Sequence, residues 1–260
     1  MADVRALLID IDGVLTVSWE PLEGAVDALR RIHAADLRFA LVTNTTSRTR
    51  AEIADTLADA GFPVEVDDVL TAPAATAEHL RTHHADARVA LLSSGDVAAD
   101  LGDVRFVALT EPADVVVLGG AGPEFTYEAL DAAFARLQEG ATLLAMHRNL
   151  YWRTSSGLQL DTGAFLAGLE EAAGVEATVL GKPSEAFFAA VLSRLGVAAA
   201  EALMIGDDVE ADVLGAQAAG IGGVLVRTGK FRPEAEDGVG GERPQRVVDS
   251  VADVPDLLGL

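Results

Sequence analysis

Short apolar runs alternate along the chain with longer stretches in which apolar residues recur every three or four positions. The short runs are typical of buried strands, and the longer stretches are typical of amphipathic helices. The pattern predicts strands at 4–9, 38–42, 68–70, 88–92, 105–109, 114–118, 142–146, 177–180, 202–205 and 223–226. It predicts helices at 24–35, 48–60, 74–84, 127–139, 162–173, 184–195 and 209–219, a mobile loop at 234–245 and a short closing helix. Strands that alternate with helices in this way predict an α/β protein built on parallel sheet.

Composition limits the class of protein further. The chain has 260 residues, which is enough for a core and a second domain, and 50% of them are hydrophobic. No apolar run reaches the roughly 18 residues that suggest a membrane span, and cysteine is absent. The first residues do not resemble a secretion signal. We therefore expect a cytoplasmic protein that does not contact a membrane.

The charge balance is strongly acidic, with 41 acidic and 19 basic residues and a formal net charge of −22. A general nucleic-acid binder needs a basic surface, so we expect no nucleic-acid partner. An acidic surface also repels anionic ligands. A site for phosphate in this chain therefore needs local positive charge or a metal ion.

The segment Asp10-Ile11-Asp12-Gly13 follows the first predicted strand directly. Ligands of open α/β sheets bind beyond the carboxyl ends of the strands, which is where these carboxylates are expected. Side chains at positions i and i+2 of a strand point to the same face. Two carboxylates on one face repel each other unless a cation or a basic group compensates, so the motif predicts such a partner elsewhere in the chain.

A second acidic cluster, Gly206-Asp207-Asp208 with Asp212, follows another predicted strand. Asp at this position is commonly a helix cap, and one Asp is enough for that role. Two successive carboxylates favour a site for a hard cation instead. Mg²⁺ prefers a few carboxylates together with water and phosphate oxygens, so we expect Asp207 to bind Mg²⁺.

Two further segments at strand ends can bind an anion. Thr43-Asn44 offers a hydroxyl group and backbone amides near a helix N-terminus, although such a pair is often only a helix cap. Gly181-Lys182-Pro183-Ser184 places a lysine between a strand and a helix. An isolated lysine is more often solvated, but this one supplies the positive charge that the acidic site needs.

These four segments, in this order, resemble the motifs of the haloacid dehalogenase superfamily of phosphotransferases. The interval of about 100 residues between the second and third motifs is similar to that of the NagD-like branch. Four further segments resemble the phospholysine phosphohistidine inorganic pyrophosphate phosphatases and the related haloacid dehalogenase-like domain-containing 2 proteins. These segments are 42–46, 157–163, 181–188 and 226–231. The resemblance implies a Rossmann-like parallel-sheet core formed by 1–83 and 178–260. It also implies an inserted α/β cap of the C2 type at 84–177.

The resemblance implies a Mg²⁺-dependent phosphatase that acts on a small phosphorylated substrate. Asp10 is then the nucleophile that forms an aspartyl-phosphate, and Asp12 is the general acid and base. Thr43 and Asn44 bind phosphate oxygens, and Lys182 offsets the charge of nucleophile and phosphate.

The resemblance also implies the surroundings of the metal ion. Asp10, Asp207 and the backbone carbonyl of Asp12 hold Mg²⁺. Asp208 and Asp212 orient Lys182 and the metal-bound waters from outside this group.

Several alternatives stay open at this point. The substrate can be a sugar phosphate, a nucleotide, pyridoxal phosphate, inorganic pyrophosphate or a phospho-amino acid such as phosphohistidine or phospholysine. Two alternative functions are a dehalogenase of the same superfamily and a non-catalytic phosphate-binding module. The resemblance also allows a homodimer through the cap.

Two histidine-containing segments have ambiguous roles. The segment 147–152 either contacts the substrate from the cap or is a surface loop with Trp152 packed on its own sheet. We expect His83 and His84 to be solvated, because adjacent residues of a helix do not share a face.

Overall fold

The structure is a computed structural model that describes residues 4–154 and 157–260. Its strands are Ala6–Asp10 (β1), Thr16–Val17 (β2), Glu20–Pro21 (β3), Arg38–Thr43 (β4), Val69–Thr71 (β5), Arg88–Leu92 (β6), Arg105–Val107 (β7), Val115–Leu118 (β8), Thr142–Ala145 (β9), Tyr151–Thr154 (β10), Gly157–Leu160 (β11), Thr178–Val179 (β12), Ala202–Gly206 (β13), Gly222–Val226 (β14) and Arg246–Val248 (β15). Its α-helices are Ala25–Ala34 (α1), Arg50–Asp59 (α2), Ala72–His83 (α3), Ala98–Leu101 (α4), Tyr127–Gln138 (α5), Thr162–Ala173 (α6), Glu185–Leu195 (α7), Gly215–Ala218 (α8) and Val254–Leu258 (α9).

Contacts divide the chain into two units. The first unit comprises Met1–Thr43, Arg50–Leu70 and Lys182–Leu260, and the second comprises Asn44–Thr49 and Thr71–Gly181. The helix α3 falls in the second unit, whereas the predicted core of 1–83 and 178–260 includes it. That the two units act as catalytic core and cap stays a prediction.

The first unit is organised by a central sheet. In the described part of the chain this sheet has six strands in the order β15-β14-β13-β1-β4-β5. Parallel pairings join β1 to both β4 and β13. Every residue of β1 is buried, as expected of a strand with helices on both faces. The carboxyl ends of β1, β4 and β13 therefore lie side by side at one edge.

The second unit has its own parallel sheet, with five strands in the described residues, in the order β12-β9-β8-β6-β7. The strands β8 and β9 are almost wholly buried, and the helices α5 and α6 pack against them through a cluster that includes Leu137 and Leu166. The antiparallel hairpin of β10 and β11 belongs to the same unit. The predicted α/β fold with parallel sheets is confirmed.

Several elements differ from the sequence-based expectation. The hairpin of β2 and β3 turns at Ser18 and Trp19, both with positive φ, which is the backbone of a tight two-residue turn. The pattern missed it because its strands are only two residues long. The loop expected at 234–245 begins with a 3₁₀ turn at Pro233–Asp237 and leads into the unpredicted strand β15.

Within the described residues, none of the helices combines the length and apolar character that crossing a membrane requires.

Candidate active site

The strand β1 ends at Asp10, and the chain then makes a wide turn. The amides of Leu15 and Thr16 both donate to the Ile11 carbonyl, at 2.9 and 3.0 Å. Asp10 is 7% exposed, whereas the side chain of Asp12 beyond the strand is exposed. The alternation of strand faces therefore does not extend to Asp12, and the two carboxylates lie in different environments.

Lys182 supplies the positive charge that the sequence predicts for Asp10. Its ammonium group lies 2.5 Å from Asp10 Oδ1 and 2.7 Å from Asp212 Oδ1, and 3.5 Å from the Val42 carbonyl of the neighbouring strand. All three charged side chains are buried. Burial by itself lowers the pKa of Lys182, but the charges of Asp10 and Asp212 outweigh it and raise that pKa above its ordinary value. Lys182 is thus a permanent buried cation.

Asp212 reaches Lys182 because the chain after β13 is not an ordinary α-helix. Val209–Leu214 forms a π-helical turn before α8, where a continuous helix at 209–219 was expected. The Asp208 carboxylate accepts from the amides of Glu210 and Ala211 at 3.1 and 3.0 Å, and the Asp208 amide donates to Asp212 Oδ2 at 3.2 Å. Such wide turns are frequent at functional sites, and this one carries Asp212 into the acidic group.

Asp10, Asp207 and Asp212 bring carboxylate oxygens within 4.8 Å of one another, and in the described part of the chain no other group of three or more potential ligands does so. Among the described residues, Asp207 Oδ1 is buried and has no hydrogen-bond partner, while Oδ2 accepts from the Lys230 amide at 2.6 Å. Burial and the charges of Asp10 and Asp212 raise the pKa of Asp207 to about 8. A hard divalent cation fits this site, because it neutralises the carboxylates and uses the unpaired oxygen.

Two glycines allow the loops to close around Asp207. Gly13 and Gly229 both have positive φ, at 95° and 60°. A methyl group on either would overlap Asp207 Oδ2. The Thr228 hydroxyl donates to the Gly13 carbonyl at 2.5 Å and ties the two loops together. The loop after β14 is therefore part of the site.

Lys230 is a site residue to which sequence reasoning gave no role. Its backbone amide binds Asp207, and its ammonium group lies 3.7 Å from Asp208 Oδ2, with the side chain 66% exposed. Lys182 and Lys230 are the only lysines of the chain, since every other basic residue apart from histidine is arginine. The scarcity of lysine was the signal that could have identified Lys230.

Thr43 ends β4 and is buried. Asp10 pairs in register with Val42, so Thr43 lies one residue further along at the same edge of the sheet. Asn44 follows it in the chain and belongs to the second unit, where its Oδ1 lies beside Gly181. The phosphate-binding roles of Thr43 and Asn44 stay predictions.

The segment 147–152 has defined contacts within the second unit. The Arg148 guanidinium pairs with both carboxylate oxygens of Glu170, at 2.8 and 2.5 Å. His147 is buried with its Nε2 3.8 Å from Asp161 Oδ1, and burial lowers the pKa of His147. The side chain of Trp152 lies outside the described residues.

A parallel sheet whose carboxyl edge holds three buried carboxylates and a buried ammonium group defines an α/β enzyme that handles an anionic group at a cation-binding site. Comparison with known proteins agrees. The family model described as haloacid dehalogenase-like hydrolase matches residues 7–107, and a model described as HAD-hydrolase-like matches residues 179–254.

Relatives and solved structures are similar over almost the whole chain. A phospholysine phosphohistidine inorganic pyrophosphate phosphatase of Rattus norvegicus is 37% identical over 265 residues, covering 99% of this chain and 95% of the relative. The p-nitrophenyl phosphatase from Archaeoglobus fulgidus has a TM-score of 0.90 and 27% identity, covering 98% of this chain and 99% of that structure. NagD from E. coli K-12 has a TM-score of 0.87 and 26% identity, with coverages of 96% and 98%.

The chain belongs to the haloacid dehalogenase-like hydrolase family, and it is a phosphatase of the NagD-like branch. The resemblance inferred from the four motifs is confirmed. The relatives are named as phosphatases, so they support neither of the two alternative functions, a dehalogenase or a non-catalytic binding module.

Proposed function

We propose that this phosphatase hydrolyses a small phosphorylated substrate with Mg²⁺, through an aspartyl-phosphate formed on Asp10. The observation that carries the proposal is the pairing of buried Asp10 with Lys182 beside Asp207, whose Oδ1 has no partner in the described structure. A carboxylate oriented by a fixed cation, beside a second carboxylate that can share a bound metal ion, is suited to attack an electron-poor centre. Uncatalysed phosphate esters react extremely slowly, so positioning and charge neutralisation must supply most of the rate.

Two displacements at phosphorus account for the reaction. In the first, an Asp10 oxygen forms a bond to phosphorus while the bond to the leaving oxygen breaks, and Asp12 gives that oxygen a proton. In the second, water attacks phosphorus, Asp12 takes a proton from the water, and the Asp10 carboxylate is released. The exposure of Asp12 supports this role, because the proton must reach a leaving group and then return from water.

The remaining side chains bind and orient. Lys182 holds Asp10 in one position through the 2.5 Å ion pair and balances part of the phosphate charge. Thr43, at the neighbouring strand end, and the Asn44 amide bind phosphate oxygens. Asp212 fixes the ammonium group from its other side at 2.7 Å.

Asp10, Asp207 and the backbone carbonyl of Asp12 are the residues that would hold Mg²⁺, with Asp208 and Asp212 outside this set. The bound ion supplies charge neutralisation between the nucleophile and the phosphate oxygens. Magnesium is preferred over softer metals because the available ligands are all oxygen atoms.

Phosphate release from p-nitrophenyl phosphate tests this proposal. We expect turnover that requires Mg²⁺, disappears in EDTA and falls at least about a thousandfold in Asp10→Asn. The matched control is Asp55→Asn, an exposed aspartate on α2, which should keep full activity. Undiminished turnover in a folded Asp10→Asn protein would exclude Asp10 as the nucleophile.

Inorganic pyrophosphate or a phospho-amino acid is the second candidate substrate class. The name of the rat relative specifies phospholysine, phosphohistidine and inorganic pyrophosphate as its substrates. Lys230 favours a substrate with a second negative charge such as pyrophosphate, because its ammonium group is largely exposed and 3.7 Å from its carboxylate partner. Lys182, in contrast, is fully engaged by two carboxylates.

A comparison of substrates distinguishes these classes. If Lys230 binds a second charged group, Lys230→Gln lowers kcat/KM for pyrophosphate about tenfold or more while p-nitrophenyl phosphate hydrolysis changes little. Equal losses for both substrates would assign Lys230 to the structure of the Asp207 loop instead.

The proposal includes a homodimer formed through the second unit. Tyr151 and Leu160 are opposite each other in the hairpin of β10 and β11, and Leu158 lies on the same face. These side chains are 58%, 64% and 60% exposed. Leu160→Lys should convert a dimer to a monomer in light scattering, and a wild-type protein that is already monomeric would exclude the dimer.

A further inference from the structure

Three of the five histidines of the chain meet at the C-terminal end of α3. His79 and His83 are four residues apart on this helix, so they lie on one face, and their ring centroids are 4.5 Å apart. His84 directly follows the helix, and its ring centroid lies 5.7 Å from that of His79. The prediction that His83 and His84 are solvated considered only this adjacent pair. The structure adds His79, whose ring lies close to both.

The surroundings of His79 favour its neutral imidazole form. Within the described part of the chain, no carboxylate lies within ion-pair distance of any of the three, and the nearby charges of Arg81 and Glu78 pair with each other at 2.5 Å. Burial, followed by the charges of His83 and His84, lowers the pKa of His79. Neutral imidazole is the form that binds metals, because one ring nitrogen then has a free lone pair.

We propose that His79 and His83 together chelate a divalent transition metal ion through their ring nitrogens. Two histidines at positions i and i+4 of a helix form a known metal-binding arrangement, because one helical turn brings both rings to the same ion. Imidazole nitrogen selects Zn²⁺, Ni²⁺ or Cu²⁺ over Mg²⁺, which prefers oxygen ligands.

The position on the helix supports a cation at this place. The C-terminal end of a helix carries partial negative charge from its unpaired carbonyl groups, which favours a bound cation. The helix α3 has 12 residues, so its last turn is well separated from its first. All ligands come from one element of the second unit, whereas the carboxylates of the Mg²⁺ site belong to the first unit. The two sites use different ligand chemistry and share no residue.

Paramagnetic Cu²⁺ distinguishes this site within the intact protein. Each of the five histidines gives a ring signal in NMR spectra, and the protein is prepared without a polyhistidine tag. Substoichiometric Cu²⁺, added with excess Mg²⁺, should broaden the signals of His79 and His83, and that of His84, before those of His33 and His147. Uniform broadening of all five signals, or broadening that begins elsewhere, would overturn the proposal.

Variants give a second, independent measurement. Calorimetric titration with Zn²⁺ is carried out on Asp207→Asn protein, so that the acidic site is weakened. We expect His79→Gln or His83→Gln to weaken Zn²⁺ binding about tenfold or more, and His33→Gln, at an exposed histidine of α1, to leave it unchanged. Unchanged affinity in both α3 variants would exclude the site.

Discussion

The Lys182 ammonium group lies 2.5 Å from Asp10 Oδ1, and both side chains are buried. Asp10 and Lys182 are 172 positions apart in the sequence, and the fold of the first unit brings them together. Asp212 approaches the same ammonium group at 2.7 Å, so one cation compensates two carboxylates. Within the described part of the chain, the third carboxylate, Asp207, has no hydrogen-bond partner at its Oδ1.

Lys182→Met should destabilise the protein and abolish activity. The substitution leaves Asp10 and Asp212 buried without a cation, which costs about 3–5 kcal/mol of unfolding free energy. Urea unfolding at pH 8 measures this loss. In Lys182→Met/Asp212→Asn, part of the stability should return because one unpaired charge is gone, while activity should not. If Lys182→Met alone is as stable as wild type, the assignment of the buried ion pairs is contradicted.

Asp207→Asn should have opposite effects on stability and activity. Asparagine keeps an oxygen for the Lys230 amide but removes a charge that Asp10 and Asp212 oppose. In EDTA at pH 8 the variant should therefore be more stable than wild type by about 1–3 kcal/mol. Its Mg²⁺-dependent turnover should be lost. If the metal-free variant is less stable than wild type, the buried charge is compensated by a group other than a metal ion.

The stability of the metal-free protein should fall as pH rises from about 4 to about 8. In this window folded Asp207, whose pKa is raised by burial and by Asp10, keeps a proton that the unfolded chain has released. A folded state that binds more protons loses stability as pH increases. If Mg²⁺ binds Asp207 as proposed, it competes with this proton, and the rise in Tm on adding Mg²⁺ should be larger at pH 8 than at pH 6. An equal or smaller rise at pH 8 would contradict the link.

Gly13→Ala should impair metal binding more than its backbone strain explains. Gly13 and Gly140 have nearly the same φ, 95° and 98°, so alanine is strained at both positions. Of these two positions, only Gly13 would bring the methyl group onto Asp207; at Gly140 no described atom beyond the adjacent residues lies within 4 Å. We expect a loss of Tm in both variants, larger in Gly13→Ala because the methyl group must displace Asp207, and a higher Mg²⁺ requirement for turnover in Gly13→Ala alone. Equal Mg²⁺ requirements in the two variants would show that the turn does not shape the site.

The sequence was sufficient to predict the edge of the sheet at which the chemistry lies. The apolar run before Asp10 and the one before Asp207 are buried parallel neighbours, β1 and β13, so their carboxyl ends had to meet. The place of Lys182 followed from the need to compensate the carboxylates.

Other features depend on tertiary contacts that periodicity does not encode. The π-helical turn that carries Asp212 to Lys182 depends on side chains that bind backbone amides, and in the sequence it resembles the start of an α-helix. The contact of Lys230 with Asp207 depends on how the loop after β14 packs against the loop after β1. Gly229 and Gly13 leave room there for the Asp207 carboxylate. The hairpin of β10 and β11 was missed because Tyr151, Leu158 and Leu160 are exposed instead of contributing to a core.

The stereochemical course at phosphorus tests the central claim most directly. A phosphate monoester made chiral at phosphorus with oxygen isotopes is transferred to an acceptor alcohol, and the configuration of the product is determined by NMR. Each in-line displacement inverts phosphorus, so an aspartyl-phosphate on Asp10 followed by a second displacement predicts overall retention. Overall inversion would mean that the acceptor attacks the substrate directly, and it would contradict Asp10 as the nucleophile.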